Sequence, residues 1–337
     1  MTAAPGIASL PASATHPDEP FRDEWARFEQ DPGPLLFLLG CQRSGTTLLH
    51  LQLARTGAFR FLSACDIYSA NRMVYNQRHG LIDTERADFS RLLRDHAQDR
   101  GIDAIPAGPD TPEEYGLALA NATGGYIRYE QPDTTEATLP LLRQLCARKA
   151  LLEGRDRPLL LKSPPDYAGG IARLADAFPH ARFIVIHRHP LPTLQSQVRA
   201  WRATILRRNS YLALIDLGYR TLLEDPGRRM SLGMFLHSKE GIGWLADCIL
   251  NAHLTFLTCS GLLEGRVAAI RYEDLCASQS SAFRTLSEFL GMELLGPVEQ
   301  PAPSRQRITE EVRDAFLERA GRFAPYLQHC GYTAEIA

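Results

Sequence analysis

The chain has 337 residues, of which 45% are hydrophobic and 23% charged, a composition typical of soluble globular proteins. Its formal net charge of −2 gives no general attraction to nucleic acid or to anionic membranes, so any anion site must be local. The seven cysteines are dispersed and form no Cys-x-x-Cys pair. This pattern argues against a zinc ribbon and predicts reduced thiols in the cytoplasm.

The first 33 residues contain many Pro, Ala and Ser and lack the basic start and apolar core of a signal peptide. They predict a loosely ordered lead-in, 1–33, followed by a single domain at 34–337. The most apolar long segment, 244–263, contains Asp247, Asn251 and His253, which are costly in lipid. It therefore predicts a buried core helix and no membrane span.

The first regular elements are a strand, a glycine-bounded loop and a helix. The apolar run at 34–39 has the length of a strand buried on both faces, and it ends at Gly40. A turn follows to Gly45, and residues 46–54 have a helical pattern. This order is typical of the start of a nucleotide-binding α/β domain.

A mostly helical stretch at about 66–155 precedes three further apolar runs, at 158–161, 182–186 and 267–270. The alternation of strands and helices predicts an α/β fold of three layers, a P-loop-containing fold with a central parallel sheet of about four or five strands flanked by helices. Ligands of such sheets bind beyond the carboxyl ends of the strands. Lys162, Arg188 and Arg271 directly follow three of those ends.

The loop at 40–47 has the Gly-x-x-x-x-Gly spacing of a Walker A motif, but Thr46 stands where that motif has Lys. The glycines allow backbone N–H groups to surround an anion, and the helix adds its positive end. Arg43 can supply the missing charge, and the Thr46 and Thr47 hydroxyls can donate to phosphate. The missing Lys disfavours γ-phosphoryl transfer, whereas a donor with a 5′-phosphate leaving group fits the loop.

The run LLGCQRSGTTLLH resembles the 5′-phosphosulfate loop of the sulfotransferase superfamily. It is similar to the Arg-Ser-Gly-Thr-Thr version of tyrosylprotein sulfotransferases and many bacterial sulfotransferases. The resemblance implies 3′-phosphoadenosine 5′-phosphosulfate (PAPS) as the donor, adenosine 3′,5′-bisphosphate as the product, and no metal. It implies that the 5′-phosphosulfate is bound by Arg43, Ser44, Gly45, Thr46 and Thr47.

Two later segments resemble the same superfamily, in the order in which its members have them. IHRHPLPTLQSQ is similar to the 3′-phosphate motif, with Arg188 and Ser196 at the matching positions and His189 where many members have Asp. LLLKSPPDYAGG resembles the Lys-[Ser/Thr]-Pro segment of heparan-type sulfotransferases, which implies that Lys162 touches the sulfate being transferred. A cation there stabilises charge on the bridging oxygen as the S–O bond breaks.

Transfer to a hydroxyl also needs a base within hydrogen-bond reach of it. Sulfotransferases of the heparan and tyrosylprotein types use a Glu shortly after the loop helix, and the acid in that zone of this chain is Asp66. The resemblance therefore assigns the base to Asp66, beside Lys162 and Arg43 as the other catalytic residues. A helix cap is an equal alternative for Asp66, and His50 is a second candidate base.

Three other polar groups have structural interpretations as well as functional ones. Glu113 and Glu114 follow Thr111 and Pro112, a sequence typical of a helix start, and they could also line the acceptor pocket. The segment 271–274 predicts a helix cap after the last strand. The basic run of Arg199, Arg202, Arg207 and Arg208 favours a solvated helix face, with an acidic acceptor or the 3′-phosphate as the alternative.

The acceptor is not specified by these patterns, and a small molecule, a carbohydrate and a peptide all stay open. The helical region at about 66–155 is expected to shape its binding site. Two alternatives to a sulfotransferase are a P-loop kinase, which predicts Mg²⁺-dependent ATP binding, and a non-catalytic nucleotide-binding protein. A nucleic-acid partner is not expected.

Overall fold

The structure is a computed structural model that describes residues 16–97, 100–101, 105–128, 131–295 and 307–333. The strands of the described chain are β1 (Leu35–Leu39), β2 (Arg60–Phe61), β3 (Leu159–Lys162), β4 (Arg182–His187) and β5 (Val267–Arg271). They form one sheet in the order β2-β3-β1-β4-β5, and every neighbouring pair is parallel.

The helices connect the strands and close the chain. They are α1 (Arg22–Ala26), α2 (Thr46–Arg55), α3 (Ala64–Tyr68), α4 (Met73–Arg78), α5 (Ile82–His96), α6 (Tyr115–Ala122), α7 (Leu139–Glu153), α8 (Pro164–Gly169), α9 (Ile171–Ala177), α10 (Pro190–Leu206), α11 (Ser210–Ile215), α12 (Leu217–Glu224), α13 (Pro226–His237), α14 (Lys239–Cys259), α15 (Tyr272–Ala277), α16 (Gln279–Leu290), α17 (Glu310–Leu317) and α18 (Ala320–Cys330). Short 3₁₀ turns occupy Glu19–Phe21 and Ser260–Leu263.

Strand β1 lies at the centre of the sheet and is buried on both faces. Phe37 and Leu39 belong to the hydrophobic cluster on one face, whereas Leu36 and Leu38 belong to the cluster on the other. Successive side chains of a strand point to opposite faces, so an unbroken apolar run marks a strand covered by helices on both sides. The predicted three-layer α/β fold is therefore confirmed, with a five-stranded parallel sheet in the described chain.

The sequence pattern predicts β1, β3, β4 and β5, while β2 is an addition. It contains two residues, too few for any periodicity to appear in the sequence. The buried Arg60 of β2 donates from Nε to the carbonyl oxygen of Arg157, at 2.8 Å. That contact helps to fix the edge of the sheet next to β3.

The apolar segment 244–263 lies mainly in α14. In the described chain one helical stretch, Lys239–Leu263, is long and apolar enough to cross a membrane by length and composition. Half of its most apolar window is buried, and α14 packs against α8, α10 and α17. Its buried side chains include Ile242, Leu245 and Ile249, so one face of the helix belongs to the protein core.

Residues 19–26 of the predicted lead-in are helical, as a short 3₁₀ turn followed by α1. Helix α1 places Trp25 in a small buried cluster with Val74 and Ala147. The buried carboxylate of Asp18 accepts a hydrogen bond from the backbone N–H of Tyr75, at 2.8 Å. These contacts attach residues 16–33 to α4 and α7. Burial of the large aromatic side chain of Trp25 stabilises this packing. Residues 1–15 lie outside the described residues.

Candidate active site at the strand ends

The loop between β1 and α2 forms a cradle for an anion. Arg43 and Gly45 both adopt positive φ, at 68° and 102°. Gly45 is the N-cap of α2 and provides no side-chain cap, so no N-cap side chain accepts from the first N–H groups of the helix. A Cβ atom at Gly45 would lie 2.5 Å from the ring of Tyr272, which restricts this position to glycine. The buried Oγ of Ser44 has no hydrogen-bond partner in the described chain.

The end of β4 contacts this loop directly. Arg188 donates from a terminal guanidinium nitrogen to the carbonyl oxygen of Arg43, at 2.8 Å, and its guanidinium carbon lies 4.3 Å from the ring centroid of Tyr272. Ser196, on the second turn of α10, accepts a hydrogen bond from Nε of Arg43, at 3.3 Å. The two predicted phosphate elements therefore form one continuous surface. The Nε of Arg188 is buried without a partner in the described chain, as expected of a donor reserved for an anion.

His189, where many sulfotransferases have Asp, replaces a carboxylate as the cap of α10. Its Nδ1 accepts a hydrogen bond from the backbone N–H of Leu191, at 3.2 Å. Its Nε2 lies 3.0 Å from the carbonyl oxygen of Thr333. A neutral imidazole performs both roles, since one ring nitrogen accepts while the other donates. Burial lowers the pKa of His189, which favours this neutral form.

Lys162, at the end of β3, connects the loop to the helical region. Its side chain is completely buried, and Nζ donates to Oγ1 of Thr47, at 2.8 Å. The same Nζ lies 3.1 Å from Oε1 of Glu114. Burial lowers the pKa of Lys162, and the neighbouring Glu114 carboxylate opposes that shift. The cation predicted from the sequence thus lies between the phosphate loop and a carboxylate.

Glu114 lies at the start of α6 and pairs with two cations. Arg128 lies 2.7 Å from its second carboxylate oxygen. Burial alone would raise the pKa of Glu114, but the charges of Lys162 and then Arg128 lower it to about 2. The carboxylate is therefore ionised at neutral pH, within contact distance of the buried lysine.

Behind Glu114, a chain of buried polar groups fixes the site to α8. Arg128 donates from Nε to Asp133, at 2.8 Å, and Oγ of Ser163 donates to the same carboxylate, at 2.5 Å. Asp166 accepts hydrogen bonds from the backbone N–H and the hydroxyl of Thr134, at 2.7 and 2.6 Å. Burial and the nearby Asp133 charge raise the pKa of Asp166 to about 6. Since Ser163 is the next residue after Lys162 and Asp166 lies four residues after it, these bonds help to position the lysine.

Glu113 faces a separate buried cluster. Arg100 lies 3.1 Å from its carboxylate, and the hydroxyl of Tyr211 donates to the same group, at 2.6 Å. The predicted helix cap at Thr111 and Pro112 is wrong, because α6 begins only at Tyr115 and Pro112 forms a β-bridge with Ser63. The two glutamates precede the helix, and they are therefore free to turn toward different partners.

His50, the second candidate base, is completely buried on α2. Neither ring nitrogen has a hydrogen-bond partner in the described chain. Burial, followed by the charge of Lys162, lowers the pKa of His50 well below its usual range. The imidazole is therefore neutral near pH 7, and it lies in the electrostatic environment of Lys162 and Glu114.

Asp66 has the contacts of a structural residue. Its carboxylate accepts hydrogen bonds from the backbone N–H and the hydroxyl of Ser63, at 2.8 and 2.9 Å, and completes a capping box at the start of α3. Nζ of Lys149 lies 3.1 Å from the same oxygen. Asp66 lies in the zone where the resemblance expects a base, and its carboxylate contacts Ser63 and Lys149 of α7.

The basic run on α10 is divided between structural and exposed arginines. Arg202 donates from Nε to the carbonyl oxygen of Leu236, at 2.9 Å, and so fastens α13 to α10. Arg199, Arg207 and Arg208 are exposed. Arg271, the last residue of β5, forms two hydrogen bonds with Asp274, at 2.8 and 2.7 Å, which is a structural role. The predicted helix cap in segment 271–274 is wrong, because α15 begins without a side-chain cap.

The comparisons with known proteins identify the family of this chain. A model of the sulfotransferase family matches residues 34–295, and the chain therefore belongs to that family. The resemblance inferred from the three motifs is confirmed at this level.

The fold is similar to that of the sulfotransferase STF9 from Mycobacterium avium, with a TM-score of 0.56, 17% identity, and coverage of 92% of this chain and 82% of that one. It is also similar to the sulfotransferase STF1 from Mycobacterium tuberculosis H37Rv, with a TM-score of 0.47, 15% identity, and coverage of 87% and 75%. The first likeness supports the fold alone, because so low an identity carries no information on the substrate. No curated protein matches the chain.

The residues that sequence reasoning missed are those that surround Lys162 from the helical region. Arg128 and Asp133 lie in a polar loop between α6 and α7, without any recognisable motif. The sequence contains one signal for these residues, because Asp166 directly follows the Lys-Ser-Pro-Pro segment that begins at Lys162. Within the described residues, no group of three or more His, Cys, Asp or Glu side chains could hold a metal ion.

Proposed function

We propose that this sulfotransferase moves the sulfuryl group from PAPS to a hydroxyl or amine of an acceptor by in-line displacement. The observation that carries the proposal is the convergence of three cations on one loop. Arg43 belongs to the loop, Arg188 binds its backbone, and Lys162 binds its Thr47. PAPS has anionic groups at both the 5′ and the 3′ position of its nucleoside, so its binding needs more than one positive group at the site.

In the proposed donor complex, residues 43–47 bind the 5′-phosphosulfate through backbone N–H groups, hydroxyls and the start of α2. Arg188 and Ser196 bind the 3′-phosphate, and Arg43 lies between the two anions because it already contacts Ser196. The buried Oγ of Ser44 and Nε of Arg188 would gain the hydrogen-bond partners that they lack in the described chain. The positive charge at the site comes from side chains, so the proposal requires no metal.

PAPS supplies a sulfuryl group activated by its 5′-phosphate leaving group. Lys162 would donate to the bridging oxygen, on which charge develops as the S–O bond breaks. The acceptor oxygen forms the new bond to sulfur and gives its proton to a base. In this proposal Glu114 is that base in place of Asp66, because it lies 3.1 Å from Nζ of Lys162.

The ion pair between Lys162 and Glu114 suggests the order in which the steps of the proposed reaction occur. While the pair is intact, the charge of Lys162 helps to hold the pKa of Glu114 at about 2, and the carboxylate is a weak base. When Lys162 turns toward the bridging oxygen, Glu114 loses that interaction and its proton affinity rises. Proton acceptance would then coincide with cleavage of the donor.

The acceptor is proposed to bind against α6 and the polar loop before α7, next to Glu114. A small molecule, a carbohydrate and a peptide remain the candidate classes. The protein is proposed to act in the cytoplasm, and the seven cysteines, all free thiols in the structure, support a reducing compartment. The kinase alternative is disfavoured by Thr46, which cannot replace the lysine that binds β- and γ-phosphates.

The test is calorimetric titration of the protein with adenosine 3′,5′-bisphosphate and with ATP, each with and without Mg²⁺. Binding of the bisphosphate that is independent of Mg²⁺ would support the donor site and lead to an acceptor screen with labelled PAPS. Binding of ATP alone, and only with Mg²⁺, would overturn the proposal in favour of the kinase. Bisphosphate binding without turnover across a broad screen would favour the non-catalytic alternative.

A further inference from the structure

An apolar surface covers the end of α10 and the outer face of α13. Leu206, Met230 and Met234 expose 59%, 65% and 70% of their surface. The two methionines are four residues apart on one helix and therefore share a face. Phe235 and Trp244, both 37% exposed, extend this surface with ring centroids 5.9 Å apart. These five residues are called the α13 patch.

The patch is continuous across two helices. A Cβ atom at Gly233, on α13, would lie 3.9 Å from Cδ2 of Leu206, at the end of α10. Only Gly233 and Leu236 are buried among the twelve residues of α13, so this helix forms a ridge on the surface. Neighbouring, strongly exposed apolar side chains of this size are uncommon on soluble proteins and mark interaction sites.

Arginines flank the residues of the α13 patch in the sequence. The segment 199–237 contains seven arginines and three acidic residues, in a chain whose net charge is −2. Arg207 and Arg208 directly follow Leu206, and Arg228 precedes Met230 by two residues, all three being exposed. The site chemistry described above uses none of them. The segment that contains the apolar ridge therefore has an excess of positive charge.

We propose that the α13 patch docks on the surface of an anionic lipid bilayer. Long unbranched methionine and leucine side chains can enter the acyl boundary, while Phe235 and Trp244 suit the interfacial layer. The arginines can extend toward anionic headgroups and leave their apolar stems below. Charge complementarity favours an anionic partner, and a helix with two buried residues presents a ridge to a plane rather than a groove to a partner helix.

The patch is linked to the acceptor side of the site by a short piece of chain. Three residues after Leu206, Nδ2 of Asn209 donates to the carbonyl oxygen of Arg100, at 2.8 Å. Tyr211 donates to Glu113, at 2.6 Å, and Glu113 precedes the proposed base. Docking is therefore expected to bring the acceptor side close to the bilayer, and this last step alone rests on the proposed function.

The test is cosedimentation of the full chain with vesicles of phosphatidylcholine, alone or mixed with phosphatidylglycerol. We expect binding to the mixed vesicles that weakens with salt and is at least about tenfold weaker for Met230→Ser/Met234→Ser and for Arg207→Ala/Arg208→Ala. The matched control is Leu317→Ser, which removes an equally exposed leucine from α17 and should bind as the wild type does.

Absence of binding to either vesicle, or equal binding to both, would overturn the proposal. Binding of both double variants to the mixed vesicles as strong as that of the wild type would also overturn it. The same holds if the patch retains an acidic protein while the full chain does not bind vesicles. Titration with adenosine 3′,5′-bisphosphate separates this result from the proposed function. If the protein binds the bisphosphate but not the vesicles, the docking proposal is overturned and the proposed function is unaffected.

Discussion

The proposed donor side and the proposed acceptor side of the site are built by different means. The donor side consists of strand ends and the start of a helix, whose geometry follows from a short local sequence. Its contacts involve backbone groups, such as the carbonyl oxygen of Arg43 that accepts from Arg188. The acceptor side consists of buried ion pairs between segments far apart in the chain, such as Glu114 with Lys162.

This difference has a consequence for what each side tolerates. A phosphate loop depends on φ angles and N–H positions, so it binds any nucleotide with the correct anions. A buried ion pair is costly unless both partners are present, so the acceptor side is sensitive to single charge changes. We therefore expect substitutions on the acceptor side to abolish turnover with little effect on bisphosphate affinity, and substitutions on the donor side to do the reverse.

The largest expected effect is that of Glu114→Gln. Loss of the proposed base should lower single-turnover transfer from PAPS by about 10³-fold. Bisphosphate affinity should stay near that of the wild type, which would also show that the variant is folded. Glu114→Asp retains a charge beside Lys162 and should lose about 10²-fold because the carboxylate is withdrawn by one methylene.

Asp66→Asn is the matched control. It should retain turnover within about threefold, while thermal unfolding shows a loss of about 1 kcal/mol from the weakened capping box. Normal turnover of Glu114→Gln combined with inactivity of Asp66→Asn would return the base to Asp66. Normal turnover of both, with loss in His50→Gln, would assign that role to the buried imidazole.

The second effect is that of Lys162→Met, which removes the cation proposed to stabilise the leaving group. We expect kcat to fall by about 10²- to 10³-fold. The bridging oxygen stays on the 5′-phosphate of the bisphosphate product, but charge builds up on it during bond cleavage, so bisphosphate affinity should fall much less than kcat. Lys239→Met, at an exposed position of α14, is the control for removal of a lysine. Equal loss of bisphosphate affinity and turnover would place Lys162 on the nucleotide instead.

The same contrast explains what the sequence could predict. The runs that became β1, β3, β4 and β5 are unbroken because their residues face apolar helices on both sides, and a local pattern is enough to show this. The Gly-bounded loop is equally local. Arg128 and Glu114 are fourteen residues apart without helical or strand spacing, and their meeting depends on Asp133 and on the fold of the intervening loop.

Asp66 shows the limit of an argument from position alone. It lies where related sulfotransferases have a base, and its carboxylate also completes the capping box whose N-cap is Ser63, three residues earlier. That Ser-x-x-Asp spacing was visible in the sequence, and it left the two interpretations equal. The hydrogen bond from Lys149 to Asp66 joins residues that are 83 positions apart in the chain, and no local pattern predicts it.

The third prediction tests the donor side. Arg188→Ala should weaken binding of adenosine 3′,5′-bisphosphate by about 10- to 100-fold, because a charge-assisted hydrogen bond to phosphate is lost. Arg199→Ala, on the exposed face of α10, should leave the affinity unchanged. Calorimetric titration at fixed ionic strength measures both. An equal loss in the two variants would indicate a general electrostatic effect in place of a specific phosphate contact.

The smallest effect concerns stability in acid. The ion pairs lower the pKa of Glu114 to about 2 in the folded state, whereas the unfolded chain titrates near about 4.3. The unfolded state therefore binds more protons between these values, and the stabilisation from Glu114, present above about pH 4.3, is lost as pH falls toward 2. When the pH is lowered from 5 to 3, the free energy of unfolding should therefore fall by about 1–2 kcal/mol less in Glu114→Gln than in the wild type. Urea titrations at the two pH values measure this difference.

Glu318 provides the comparison for this measurement. A hydrogen bond and the charge of Lys239 also lower the pKa of Glu318, but this pair is solvent-exposed. Solvent screening makes such a pair contribute little to stability, so Glu318→Gln should follow the wild-type pH dependence closely. If Glu114→Gln also followed it, the Lys162–Glu114 pair would not persist in solution. The coupling of proton acceptance to the movement of Lys162 would then lose its structural basis, while the donor site would be unaffected.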